Sequence, residues 1–182
     1  AVLPFVNMSN DPDQEYFSDG ITEEIIAHIT KIKGIQVISR TSVLPYKGKP
    51  HNLKTIGKEL NVNTILEGSV RKSGNVFRVT GQLINAHTDK HLWAVTFDRD
   101  IKDIFEIQSD IARNIAKKLE IDISPKDNAK ISQVPTPIIE AYELFQKGIY
   151  FLYKKYFNSH QDEDFEKSKK FFEQAIQLDS GY

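Results

Sequence analysis

From Val62 to Arg99 the chain repeats apolar and polar residues with a period of two, and this stretch restricts the fold more than any other. Val62 to Lys72 and Val76 to Ala86 flank Ser73-Gly74-Asn75, a short Gly-containing turn of the hairpin kind. In the second arm Phe77, Val79, Gly81 and Leu83 alternate with Arg78, Thr80 and Gln82, as in a strand with one face buried and one in water. His87-Thr88-Asp89-Lys90 makes a second turn, and Leu92 to Arg99 a third strand with Trp93, Val95 and Phe97 on one side. Such a meander cannot bury its apolar face alone and needs a second layer.

The segments around it supply that layer. Ala1-Val2-Leu3-Pro4-Phe5-Val6 reads as a short buried strand, with Pro4 suited to a strand end or a sheet edge. Phe17, Ile21, Ile25, Ile29 and Ile32 recur at helical spacing, with Asp11-Pro12 and Gln14 at the start and Gly34 at the stop. Ile35 to Ser39 is a short β-rich run, and Leu53, Ile56 and Leu60 mark a short helix closed by Asn61. After the meander, Asp103 with Glu106 opens a helix whose stripe is Ile104, Ile107, Ile111, Ile115 and Leu119. The expected fold class is α/β: a two-layer mixed-sheet domain in the order β-α-β-α-β-β-β-α, followed by an α-helical hairpin. The expected division is an α/β domain at 1–122, a Pro-containing linker at 123–137 and a helical hairpin at 138–182.

Composition removes several classes of function. With 24 basic and 25 acidic residues the net charge is −1, so no global field attracts nucleic acid or an anionic membrane. The absence of cysteine excludes disulfides, thiolate metal sites and cysteine nucleophiles. No apolar run approaches the roughly 20 residues that span a bilayer, and no stretch of the sequence reads as a signal peptide. Both ends look cut, one opening on an apolar run without Met and the other following an amphipathic helix, so a longer parent is expected.

The sequence carries few residues in patterns that suggest chemistry. His87 and His91 with Asp89 have a spacing seen in metal sites, but they straddle a turn and read as solvated turn residues; no metal is expected. No glycine-rich phosphate loop follows a strand, so no cofactor is expected. Asp19, Glu23 and Glu24 read as acidic residues favourably placed near a helix start, with no catalytic partner beside them. Lys167, Lys169 and Lys170 lie beside acidic residues and read as a solvated face. The polar set of most interest is Arg40, Ser42, Tyr46 and Lys47 with Glu67 and Arg71. It reads as a site for a small ligand or a partner's carboxylate, or as an Arg–Glu pair that fixes the 39–54 loop onto the sheet. The second reading is the simpler. No catalytic residue is identified.

Two resemblances follow from these residues. Leu144, Gly148 and Phe151, then Ser168, Phe172 and Ala175, resemble the two helices of a tetratricopeptide (TPR) repeat, and Leu178-Asp179-Ser180-Gly181-Tyr182 resembles its usual ending. The connection at Asn158 to Asp164 makes this repeat about eight residues longer than the standard of roughly 34. The first 120 or so residues resemble TolB amino-terminal-like domains. The matching stretches are Ala1-Val2-Leu3-Pro4-Phe5, Gln14 to Gly20, Ile38-Ser39-Arg40-Thr41-Ser42, Tyr46-Lys47, Leu66 to Arg71, His91-Leu92-Trp93 and Asp98-Arg99. In bacteria such domains precede TPR arrays in proteins labelled adenylate cyclases or winged-helix transcriptional regulators. The resemblance implies an accessory, non-catalytic module, with any cyclase, kinase or DNA-binding activity lying outside it. It also implies a protein or peptide partner for the array, with self-association as a further expectation and no direct contact to nucleic acid. A membrane span before the segment, as in the family, would place it outside the cytoplasm. The contrary expectation is a small-ligand-binding or enzymatic domain that uses the Arg40/Glu67 region.

Overall fold

The computed structural model describes residues 1–11, 14–49, 52–74, 76–156 and 160–182. Four strands form one mixed sheet in the order β1-β2-β3-β4: β1 Val6–Asn7, β2 Thr64–Ser73, β3 Val76–Asn85 and β4 Lys90–Asp100. β1 runs parallel to β2, and the pairing extends upstream through a Val2–Leu66 bridge and the Leu3 amide, which donates to the Leu66 carbonyl at 2.8 Å. Pro4 thus sits on an edge strand, where its missing N–H costs no ladder bond.

The meander has the register that its alternation demands. Phe77, Val79, Gly81 and Leu83 of β3 face Arg99, Phe97, Val95 and Trp93 of β4, and a bulge follows at Leu83/Ile84. Helix α1 (Glu15–Thr30) and helix α4 (Ile104–Lys118) cover this apolar face. Ile21, Ile25 and Ile29 of α1 and Ile104, Ile107, Ile111 and Ile115 of α4 are all buried. Each contributes about 1.5–3 kcal/mol by leaving water. Phe17 stacks on Phe77 with ring centroids 4.1 Å apart. The cap of this helical region differs from expectation. Asp100, not Asp103, accepts from a backbone amide (Lys102, 3.2 Å), because one 3₁₀ turn at Ile101–Asp103 precedes α4.

Among the described residues, the cover on the other sheet face lies near its β1–β2 end. There the short helices α2 (Arg40–Val43) and α3 (Leu53–Glu59) bury Val43 and Ile56 with Leu3, Ile65 and Ala86. Asn52 caps α3, its Oδ1 accepting from the amides of Lys54 and Thr55 at 3.0 and 3.3 Å. The run Ile35 to Ser39, expected as a strand, forms none. Ile35 and Val37 turn towards the main core and Ile38 towards the smaller one, so these side chains are used, but the backbone joins no ladder. The element order therefore lacks the second strand that its β-branched composition suggested. The Asp11-Pro12 start of α1 lies partly outside the described residues, but Gln14 Nε2 donates to Asp11 Oδ2 at 3.1 Å.

The segment expected as a linker contains a helix, α5 (Pro125–Ile131). Ser124 caps it by accepting from the Asp127 amide at 3.1 Å, Pro125 occupies the first turn, and Ile131 is fully buried. Arg113 of α4 holds it from outside, donating to Asn128 Oδ1 and Ser132 Oγ at 3.0 and 2.6 Å. Prolines here start a helix as well as punctuate a connection.

Helix α6 (Ile139–Tyr150) continues as a π-helical stretch over Phe151–Tyr156 and pairs with α7 (Asp162–Leu178). The expected long connection falls partly outside the described residues at Asn158 and Ser159. Gly148 of α6 faces the ring of Phe172, Ser168 Oγ donates to the Gly148 carbonyl at 2.9 Å, and Ala175 is buried. Thr136 Oγ1 donates to Asp179 Oδ2 at 2.6 Å, tying the start of α6 to the end of α7. The hairpin rests on α1 and α4 through Tyr142, whose ring meets Phe105 edge-on at 5.0 Å. Lys72 of β2 pairs with Glu143, and Gly20 of α1 leaves room for the Gln146 side chain.

Candidate functional site

The six residues singled out in the sequence separate into two places. Arg40 and Lys47 turn towards α1. Lys47 Nζ pairs with both Asp19 and Glu15, and Arg40 stands 3.9 Å from Glu23. Burial by itself lowers the Lys47 pKa, but Asp19 and Glu15 outweigh it and hold the ammonium above its ordinary value. Ser42 shares a hydrogen bond of 3.0 Å with Ser39. The expected Arg40–Glu67 pair does not form. The loop is fastened instead to α1, because the carboxylates of that helix recur every four residues along the face that the loop crosses. The acidic residues of α1 thus serve as an anchoring row more than as charges at the helix start.

Tyr46, Glu67 and Arg71 belong to the second place, the partly open sheet face. An open groove of about 450 Å³ lies there between β1 and the loop after α2. Leu3, Val6 and Met8, in β1 and on either side of it, form one wall, and Tyr46 and Leu53 the opposite wall. Tyr46 is held in place by its hydroxyl, which donates to Glu59 Oε2 at 2.5 Å. The floor is polar: Glu67 and Gln82 are direct cross-strand partners, and Ser69 follows two residues along β2. Lys49 stands at the rim. Arg71 lies outside the groove lining, its Nε donating to the Met8 carbonyl at 3.1 Å. Beyond the groove the sheet surface is polar and self-paired, with Arg78 donating to both oxygens of Asp98 at 2.7 and 3.0 Å.

His87 Nε2 is 2.9 Å from Asn63 Oδ1, and among the described residues no three His, Asp or Glu side chains gather as metal ligands would. Sequence reasoning missed His28, which is 2 % exposed in α1, with Nδ1 2.8 Å from the Glu24 carbonyl. Burial lowers its pKa, and burial also raises that of Glu24 beside it. Its position one residue before Ile29 in a buried stripe was the available signal. Among the described residues no helix is long and apolar enough to cross a membrane.

Residues 1–117, the sheet with α1 to α4, match the family model of the HilA/YgeH-like transcriptional regulator, second domain. The chain belongs to this family. It is 41% identical over 148 residues to "Putative adenylate cyclase 3" of Rhizobium meliloti (strain 1021), covering 81% of this chain and 25% of that protein. The chain therefore spans about a quarter of the length of that relative. Similar solved structures include lipoprotein GNA1162 from Neisseria meningitidis, at 16% identity and TM-score 0.48 over 65% of this chain and 96% of that one. TolB from Acinetobacter baumannii is similar at 13% identity and TM-score 0.45, over 64% of this chain and 28% of that one. Regulator and adenylate cyclase are the two labels that the motif resemblance implied for proteins carrying such a domain.

Proposed function

We propose that the chain is a non-catalytic regulatory module of a larger signalling or transcription-regulating protein, in which the α/β domain seats a TPR-like hairpin that engages a protein or peptide partner. The observation that carries this reading is the way the hairpin is mounted. Tyr142 fills the space beside Phe105, and Glu143 and Gln146 contact β2 and α1, so the inner face of α6 is committed to the domain. The outer face of α7 leaves Ile176 58 % and Leu178 39 % exposed, apolar surface available to a partner or to further helices. The Gly148–Phe172 and Ser168–Gly148 contacts fit the small-residue packing of TPR helices. The family match supports a regulator, and the name of the relative supports a parent that carries its output in another domain.

Two measurements test this. Incubated with ATP and magnesium, the chain should make no cyclic AMP; turnover would refute the non-catalytic reading. In the full-length parent, Ile176→Glu should leave folding intact and abolish the regulated change in output. An unchanged response would exclude the α7 face, and a change in oligomeric mass alone would mean that the partner is another copy of the chain.

A further inference from the structure

The groove between β1 and the loop after α2 is built differently from the rest of the open sheet face. Elsewhere on that face polar groups satisfy one another, as Arg78 does with Asp98 and Thr80 with Thr96 at 3.4 Å. On the groove floor Glu67, Ser69 and Gln82 are half-buried, and their side chains make no hydrogen bond or ion pair among the described residues. Lys49 at the rim likewise pairs with no carboxylate there, although the neighbouring Lys47 takes two. Half-buried polar groups left to water above an apolar wall are what a ligand can use, since each gains a partner when the water leaves.

The residues also define the ligand. An apolar molecule would cover Leu3, Val6 and Leu53 but strip Glu67 and Gln82 of water without replacement. A simple cation would satisfy Glu67 and oppose Lys49; a simple anion would do the reverse. A small molecule with an ammonium and a carboxylate on an apolar body satisfies both ends. We infer that the groove is a binding site for a small zwitterion of the amino-acid class, with its ammonium at Glu67 and Gln82, its carboxylate at Lys49, and its aliphatic side chain between Leu3 and Tyr46. The groove, at about 450 Å³, has ample room for such a molecule. The Tyr46–Glu59 hydrogen bond sets the aromatic wall in advance, so little ordering is required on binding. This site does not depend on the partner face of α7, and either assignment can fail alone.

The test is titration calorimetry of the chain with three probes of one shape: L-leucine, 3-methylbutylamine and 4-methylpentanoate. Leucine should bind at least about tenfold more tightly than either single-charge analogue, the usual worth of one charge-assisted hydrogen bond. Glu67→Gln should weaken leucine and the amine by about tenfold and leave the acid unchanged, and Lys49→Met should weaken leucine and the acid only. Ser69→Phe, which fills the floor, should abolish all three. No heat with leucine, or equal affinity for leucine and the amine, would overturn the assignment. The three probes decide it on the unaltered chain even if a variant misfolds.

Discussion

Gly148 of α6 lies under the ring of Phe172 on α7 so closely that a Cβ at position 148 would stand 2.5 Å from Phe172 Cε1. Two effects therefore oppose each other in Gly148→Ala. Helix propensity alone favours alanine by about 1 kcal/mol. The clash forces Phe172 out of its place, and overpacking of this kind costs about 1–3 kcal/mol. Ser168, bonded to the Gly148 carbonyl, limits any retreat of α7. We expect a net loss of about 1–2 kcal/mol, read from the urea midpoint. A rise in the midpoint would show that the two helices are not in close contact at this position.

Lys47 joins the loop after α2 to α1 through Asp19, whose side chain is only 7 % exposed. Lys47→Met leaves that carboxylate facing an apolar group. Breaking a fully buried pair costs about 3–5 kcal/mol, and the partial exposure of Lys47 and Glu15 brings the expected loss to about 2 kcal/mol. Because the folded pKa of Lys47 is raised, the pair contributes fully below the usual lysine value of 10.5 and is lost as pH rises through the folded value. Hydrogen exchange should quicken first at residues 40–49. Uniform quickening across the chain would mean that Lys47 supports the whole fold and not the loop.

The acid limb of stability should belong to His28. Its folded pKa lies below the ordinary 6.5 because of burial, so the unfolded chain takes up the proton first. The neutral ring therefore contributes fully above about pH 6.5, and that contribution falls away as pH drops towards the folded value. Glu24 acts the other way: its pKa is raised by burial, so its ionised form is disfavoured in the fold and acid relieves the penalty. Comparing His28→Gln with the unaltered chain separates the two. The unaltered chain should lose more stability than the variant between pH 7.5 and pH 5.5 in urea titrations. Equal losses would assign the acid limb to the carboxylates.

The residues that repeat were legible. The isoleucines of α1 and α4 and the alternation through Phe77 to Leu83 specify faces, and a face specifies burial. The run Ile35 to Ser39 was misleading because β-branched residues signal a half-buried surface and not a hydrogen-bonded ladder, and here the surface is filled without one. The prolines near 125 to 137 mark irregular backbone, but Pro125 fits the first turn of α5 as well as a linker. The polar set failed as one cluster because partner choice depends on where a loop crosses. Nothing local to Arg40 indicates that Glu23, and not Glu67, will be the carboxylate within 4 Å. The groove was legible only through Tyr46 and Glu67, since its walls come from β1 and α3, far away along the chain.

Tyr142 decides whether the hairpin and the sheet unfold as one unit. It is fully buried, meets Phe105 at 5.0 Å and accepts from Gln108 Nε2 at 3.3 Å. Tyr142→Phe keeps the ring and removes one long hydrogen bond, so a loss of about 1 kcal/mol follows. Tyr142→Ala removes the ring that joins α6 to α4, at about 3–5 kcal/mol. The unaltered chain should unfold in a single urea transition, because this contact and the Lys72–Glu143 pair couple the two parts. In Tyr142→Ala the transition should split, with α6 and α7 exchanging amide hydrogens well before β2 to β4. A single transition at a lower midpoint would mean that the hairpin cannot fold off the sheet, and two transitions already in the unaltered chain would mean that the contact at Tyr142 is too weak to unite them.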